Sequence, residues 1–168
     1  LTSDHGVTPI PEYVQSHLPN ADVGRLSHIR LNEVVHSLLV SAFGAAGNGH
    51  TWIRRIVDGN IYINHEVVKE KKLNRETVAA ILADSVMNLR EVALALPRQT
   101  LLTGCCNTGL EGKLKRSFHP KRSGDVLFAM KPYFYLEDAT EGAEHGNPYE
   151  QDAHVPLIIM GRGIRNGT

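Results

Sequence analysis

The stretch RSGDVLFAM, residues 122–130, passes from a polar, glycine-bearing turn into five consecutive apolar side chains, and Pro132 closes it. A short apolar run bounded by turn residues reads as a strand. A second run, residues 155–160, is apolar throughout except for Pro156 and ends at Gly161. Continuous rather than alternating hydrophobicity predicts that this second run is a strand covered on both faces. Between the two lies a loop of Gly, Asn, Pro and acidic residues, 137–152, with His145 inside it and His154 just beyond. A connection of that length is a candidate for function.

Upstream the period changes. Leu31, Val34, Val35, Leu38, Leu39, Ala42 and Phe43 mark one face of a helix that Gly44 can close. Asp58-Gly59-Asn60 introduces Ile61-Tyr62-Ile63, with Val67-Val68 close behind, which predicts a strand or hairpin. The charge run 69–72 reads as a solvated turn. Asn74 can cap a second helix with the face Val78, Ile81, Leu82, Val86 and Leu89. Residues 92–96 fit a further strand ended by Pro97, and 105–123 is basic and irregular or short-helical. Near the start, Pro9, Pro11 and Pro19 mark a loop. The fold class is therefore α/β, with a helix-and-hairpin section near 27–100 set between two stretches that carry polar motifs.

Composition narrows the function. With 168 residues the chain fits one domain, able to bury roughly 70% of its unfolded surface. Eighteen Lys and Arg balance eighteen Asp and Glu, which argues against a polybasic nucleic-acid surface. No apolar run reaches the roughly 18 residues of a membrane span, and no signal-peptide pattern opens these residues. Cys105 and Cys106 are adjacent, too close for an unstrained disulfide, and no CxxC metal motif exists. Histidine is the excess, at nine residues. It is the commonest metal ligand and titrates near neutrality.

Three places concentrate chemistry. Asp4-His5-Gly6 sets a carboxylate beside an imidazole at a residue that permits a sharp turn. In a regular strand the two side chains would point to opposite faces, so a turn past a strand end is needed to aim both at one ion. Asp152-Ala153-His154 immediately precedes the second apolar run, and Arg122-Ser123-Gly124-Asp125 precedes the first. Each alone also reads as an ordinary turn. His28, His36, His50 and His65 have no acidic or histidine neighbour at ligand spacing and are assigned structural or surface roles. His17 reads as loop surface and His119 as structural.

Taken together, TSDHGV (2–7), RSGDVLFAMKPYFY (122–135) and HGNPYEQDAHVPLIIMGRGI (145–164) resemble the alkaline phosphatase superfamily, most nearly its bacterial alkaline phosphatases and type I phosphodiesterase/nucleotide pyrophosphatases. The likeness implies an α/β sheet sandwiched by helices. It places residues 1–26 and 101–168 in the C-terminal part of the catalytic domain and 27–100 in a helix/hairpin insert. It also implies a phosphate ester as substrate and two zinc ions about 4 Å apart, a spacing that stabilises both the entering and the leaving oxygen of an in-line displacement. By resemblance, Asp4 and His5 match ligands of one zinc and His154 a ligand of the other. Asp152 and His145 match positions just behind the ligands. Periplasmic or secreted localisation is implied in the same way.

The family's Thr or Ser nucleophile and its Asp-x3-His ligand pair lie upstream of the DHG motif, and no aspartate of this chain has a histidine four residues later. The resemblance therefore puts the nucleophile upstream of Leu1 and assigns no catalytic residue within the chain. One or two ligands per ion fall short of the three that a catalytic zinc keeps. The motif at residue 4 thus predicts part of a longer protein, inactive by itself. With the preceding strand missing, the surface from Leu1 to Val7 is expected to be an unpaired sheet edge, prone to homo-oligomerise. The alternative is a non-catalytic binding or assembly module.

Overall fold

The computed structural model describes residues 1–104, 107–139, 142–165 and 167, so the adjacent cysteines lie outside the described residues. The run at 126–130 forms β5 (Val126–Met130), and all five of its residues are buried. Such a strand needs cover on two sides. Val126, Phe128 and Met130 face one core, packed against Leu31, Val35 and Leu39 of α2 (His28–Phe43) and Val78, Leu82 and Val86 of α4 (Arg75–Met87). The alternate residues, Leu127 and Ala129, face a smaller cluster with Leu101 of α5 (Arg98–Thr103) and Leu114 of α6 (Gly109–Ser117). The α/β class holds, and helices cover both faces of the sheet.

That sheet has four antiparallel strands in the order β2 (Ile53–Val57), β3 (Asn60–Ile63), β5, β4 (Val92–Pro97). A separate parallel pair joins β1 (Gly24–Leu26) to β6 (Phe134–Leu136). The two long helices start and stop where their residue types dictate. Ser27 caps α2 by accepting from the Arg30 amide at 3.0 Å, Gly44 ends it with φ 79°, and Asn74 caps α4 by accepting from the Thr77 amide at 2.9 Å.

Four expectations change. The hairpin partner of residues 61–63 is β2, upstream of the Asp58-Gly59 turn, whereas Val67 and Val68 are buried in a short helix, α3 (His65–Glu70). The Asn64 side chain accepts from the Glu66 amide at 3.2 Å and starts that helix, so Lys69 and Glu70 end the helix and only Lys71-Lys72 form the expected turn. The proline loop near the start contains α1 (Pro11–His17), with proline at the first helical position, where its missing N–H costs nothing. Residues 155–160 do not form a strand covered on both faces. Their single ladder contact is an antiparallel bridge from Leu157 to Thr2, and Leu157, Ile159 and Met160 are 63–88% exposed. Among the described residues nothing packs over them.

The same bridge fills one side of the edge expected to be open at Leu1–Val7, at Leu1 itself. The Leu1 ammonium donates to the Ile158 carbonyl at 2.5 Å, and the Leu1 carbonyl accepts from the Ile158 amide at 2.7 Å. The backbone at Leu1 is thus paired within the chain, because residues 157–158 lie alongside it. Its side chain stays outside, at 86% exposure. Exposed apolar side chains, Leu1 and residues 157–160, line the same place.

Asp125, at the entry to β5, is buried and neutralised on three sides. Its carboxylate accepts from the Ile63 amide at 2.9 Å and from Arg75 Nε at 2.7 Å, and it lies 3.0 Å from His65 Nε2. Sequence spacing offers no hint of this partner for His65, which is 60 residues away. Removing the acid leaves the buried Ile63 amide without an acceptor, while the half-exposed Arg75 and His65 can rehydrate. Asp125→Ala is therefore expected to lower unfolding free energy by about 2–3 kcal/mol at neutral pH, read from urea midpoints at constant m-value.

Candidate functional site

The two ends of the chain meet at one carboxylate. Asp152 belongs to a single helical turn, α7 (Glu150–Ala153), and is 4% exposed. Its Oδ1 accepts from the Thr8 hydroxyl at 2.8 Å, its Oδ2 from the Asn147 amide at 2.7 Å, and its backbone carbonyl from the Gly6 amide at 2.8 Å. Thr8 is fully buried, and its amide also donates to the Glu144 carbonyl at 3.0 Å. Tyr135, in the middle of β6, donates its hydroxyl to the Thr8 carbonyl at 2.5 Å, and burial pushes that phenol's pKa up. Tyr149 donates to the Met130 carbonyl at 2.7 Å and anchors the loop to the end of β5. The approach at Gly6 is close: a Cβ there would lie 1.9 Å from the Gln151 carbonyl oxygen.

On this clamp sit Asp4, His5 and His145. The His5 Nδ1 donates to the Gly6 carbonyl at 2.7 Å, which makes Nε2 the nitrogen that carries the lone pair in the neutral ring. That Nε2 lies 3.7 Å from Oδ2 of Asp4, whose side chain is 89% exposed. Two ligands of a tetrahedral zinc at 2.0–2.1 Å sit about 3.3 Å apart, so this pair fits two positions on one ion after a small movement. The His145 ring stacks on His5 with centroids 3.8 Å apart and planes 11° from parallel.

His154 is the C-cap of α7, exposed, and its imidazole has no polar partner among the described residues. The backbone brings its segment beside the Asp-His pair, yet no three His, Cys, Asp or Glu side chains gather as a ligand set among the described residues. Asp152 is committed to Thr8 and Asn147 rather than to His154. Two residues apart across a helical turn, the acid and the imidazole do not face each other. Thr8, Asn147 and Tyr135 complete the clamp without being singled out in the sequence: Asn147 and Tyr135 lie within the motif stretches, and the partners of Thr8 and Tyr135 are 144 and 127 residues away.

Beside His145 a cavity of about 720 Å³ opens between β5, α6, Glu137 and residues 144–148. A pair of carboxylates lines it. Burial, then the hydrogen bond to Glu137, raises the pKa of Glu144, whereas backbone amides of Ala139 and Asp138 hold Glu137 below the usual range. Glu144 thus keeps the proton of the pair to higher pH.

Compared with known proteins, the chain matches no protein-family model. It is 25% identical over 99% of its length to alkaline phosphatase PhoV of Synechococcus elongatus and 21% identical over 99% to alkaline phosphatase PafA of Elizabethkingia meningoseptica. It is also 21% identical over 99% to a protein named calcium-transporting ATPase from Myroides odoratus. The chain spans 28–30% of the length of these relatives. The crystal structure of wild-type PafA superposes with a TM-score of 0.84 at 22% identity, over 99% of this chain and 30% of that one, which establishes the fold.

Thr8→Val removes one donor to a buried carboxylate without changing side-chain volume much. It is expected to cost about 1–3 kcal/mol in urea unfolding, with secondary structure unchanged by circular dichroism. A cost under about 0.5 kcal/mol, the usual range for surface changes, would mean that the clamp does not hold the two ends together.

Proposed function

We infer that this chain, which matches the C-terminal portion of the alkaline phosphatase superfamily, supplies part of a two-zinc centre to a phosphoric ester hydrolase. Asp4 and His5 would hold one ion and His154 the other, with Asp152 and His145 behind them. One observation carries the reading. The buried Asp152 ties the Asp4-His5-Gly6 turn to the segment bearing His154, while the Gly6 carbonyl leaves His5 Nε2 free to coordinate beside Asp4.

Zinc bound there supplies Lewis acidity to the phosphoryl oxygens and to the entering and leaving groups. The chain's own residues do the positioning. Gly6 permits the close approach of the turn to Gln151, Thr8 and Asn147 fix Asp152, and the stacked His145 limits rotation of the His5 ring. The nucleophile, a Thr or Ser hydroxyl, and the remaining ligands belong in this reading upstream of Leu1, so the chain alone does not turn over substrate. Likeness to alkaline phosphatases also supports a periplasmic or secreted setting, and no helix among the described residues is long and apolar enough to cross a membrane.

In the full-length protein, Asp4→Ala and His154→Ala are each expected to lower bound zinc by about one of two ions, measured by atomic emission. Each is expected to reduce nitrophenyl phosphate hydrolysis by about 100-fold or more. Unchanged zinc content and rate in either variant would overturn the assignment of that residue.

The exposed side chains of Leu1 and of residues 157–160 favour a second use of the chain, as an assembly module that pairs through this surface. In that case the 168-residue chain self-associates, and light scattering gives at least twice its 18.5 kDa mass. A monomer at tens of micromolar removes the patch as a self-association surface.

A further inference from the structure

The hairpin at the far edge of the main sheet contains an irregularity with a chemical consequence. Ile53 pairs with Ile63 and Arg55 with Tyr62, so Arg54 is the extra residue of a β-bulge. In a regular strand Arg54 and Arg55 would point to opposite faces. A bulge sets two residues against one and re-aims a side chain. Both arginines consequently line the same concavity of about 320 Å³, with Tyr62, Ile63, His65 and Asp125.

The charge there is unbalanced. Asp125, the one acid in the lining, is buried and already engaged by Arg75, His65 and the Ile63 amide. Arg54 and Arg55 are exposed and have no carboxylate partner among the described residues; Arg55 lies 4.8 Å from the Tyr62 ring centroid. Tyr62 donates its hydroxyl to the Arg122 carbonyl at 2.8 Å, which draws the loop bearing Lys121 and Arg122 towards this edge. A chain with zero formal charge thus sets two arginines without a carboxylate partner at one small hollow. Adjacent like charges and a bulge both cost stability unless something offsets them. Guanidinium forks match the oxygens of a phosphoryl group in pairs. The hollow is too small for a folded partner and has room for one or two such groups.

We propose that the bulge-paired Arg54 and Arg55, with Tyr62 as the platform under Arg55, form a binding site for a small phosphorylated anion. The site shares no residue with the Asp4, His5 and His154 centre. It does not depend on zinc.

Calorimetric titration of the chain in low-salt buffer containing a chelator, with inorganic phosphate and then pyrophosphate, tests this. Saturable 1:1 binding of at least one is expected. Tighter pyrophosphate binding assigns the hollow to two linked phosphoryl groups, and equal binding to one. The double variant Arg54→Ala/Arg55→Ala should bind about ten-fold more weakly or worse. Asp4→Ala should be unaffected, as should Lys69→Ala/Lys72→Ala, which removes equal charge from exposed positions. No saturable binding, an unchanged affinity in the arginine variant, or an equal loss in the lysine variant overturns the proposal. Because Asp4→Ala and the chelator disable the proposed zinc centre, failure of that centre and failure of this site give different results.

Discussion

At the head of β5 a buried carboxylate, Asp125, gathers the Ile63 amide of the hairpin, the first residue of α3 and the Arg75 guanidinium that opens α4. A charge at that depth is tolerable only with such partners. Its position forces the hairpin, two helices and the central strand to meet in one arrangement. From there β5 runs with every residue buried, which in turn demands α2 and α4 on one side and α5 and α6 on the other. The loop that carries the candidate site leaves this body through β6 and returns to it through the Tyr149 bond to Met130.

The candidate site repeats the device with a second buried acid. Asp152 accepts from Thr8 and Asn147, so the Asp4-His5 pair rests on a buried, hydrogen-bonded base. Exposure of Asp4 and the buried hydrogen bonds beneath it suit the presentation of ligand atoms outward. Both acids work by satisfying backbone amides as well as side chains, and neither could be replaced by an apolar residue without leaving an amide unpaired.

Much of the body was legible because its signals are local. The apolar stripe, Asn74 before a helix and Gly44 after one each act within a few residues, and α2, α4, β4 and β5 follow from such signals. The DHG and HVPL motifs were legible only through resemblance. What escaped reading depends on distant partners: β2 as the mate of β3, Asp125 as the partner of His65, Ile158 as the partner of Leu1, and Thr8 as the donor to Asp152 across 144 positions. Residues 155–160 misled for a related reason. Apolar continuity says that a segment can be buried, and whether it is depends on neighbours that composition does not name.

The link between Thr8 and Asp152 also orders events in time. Closing a loop of 144 residues costs chain entropy that only a preformed body can lower, by bringing β1 beside β6 first. The clasp at the chain ends is therefore the last part of the molecule to form and the first to open. Amide hydrogens of Gly6 and Thr8 will exchange through this local unfastening well before those of β5, whose release requires global unfolding.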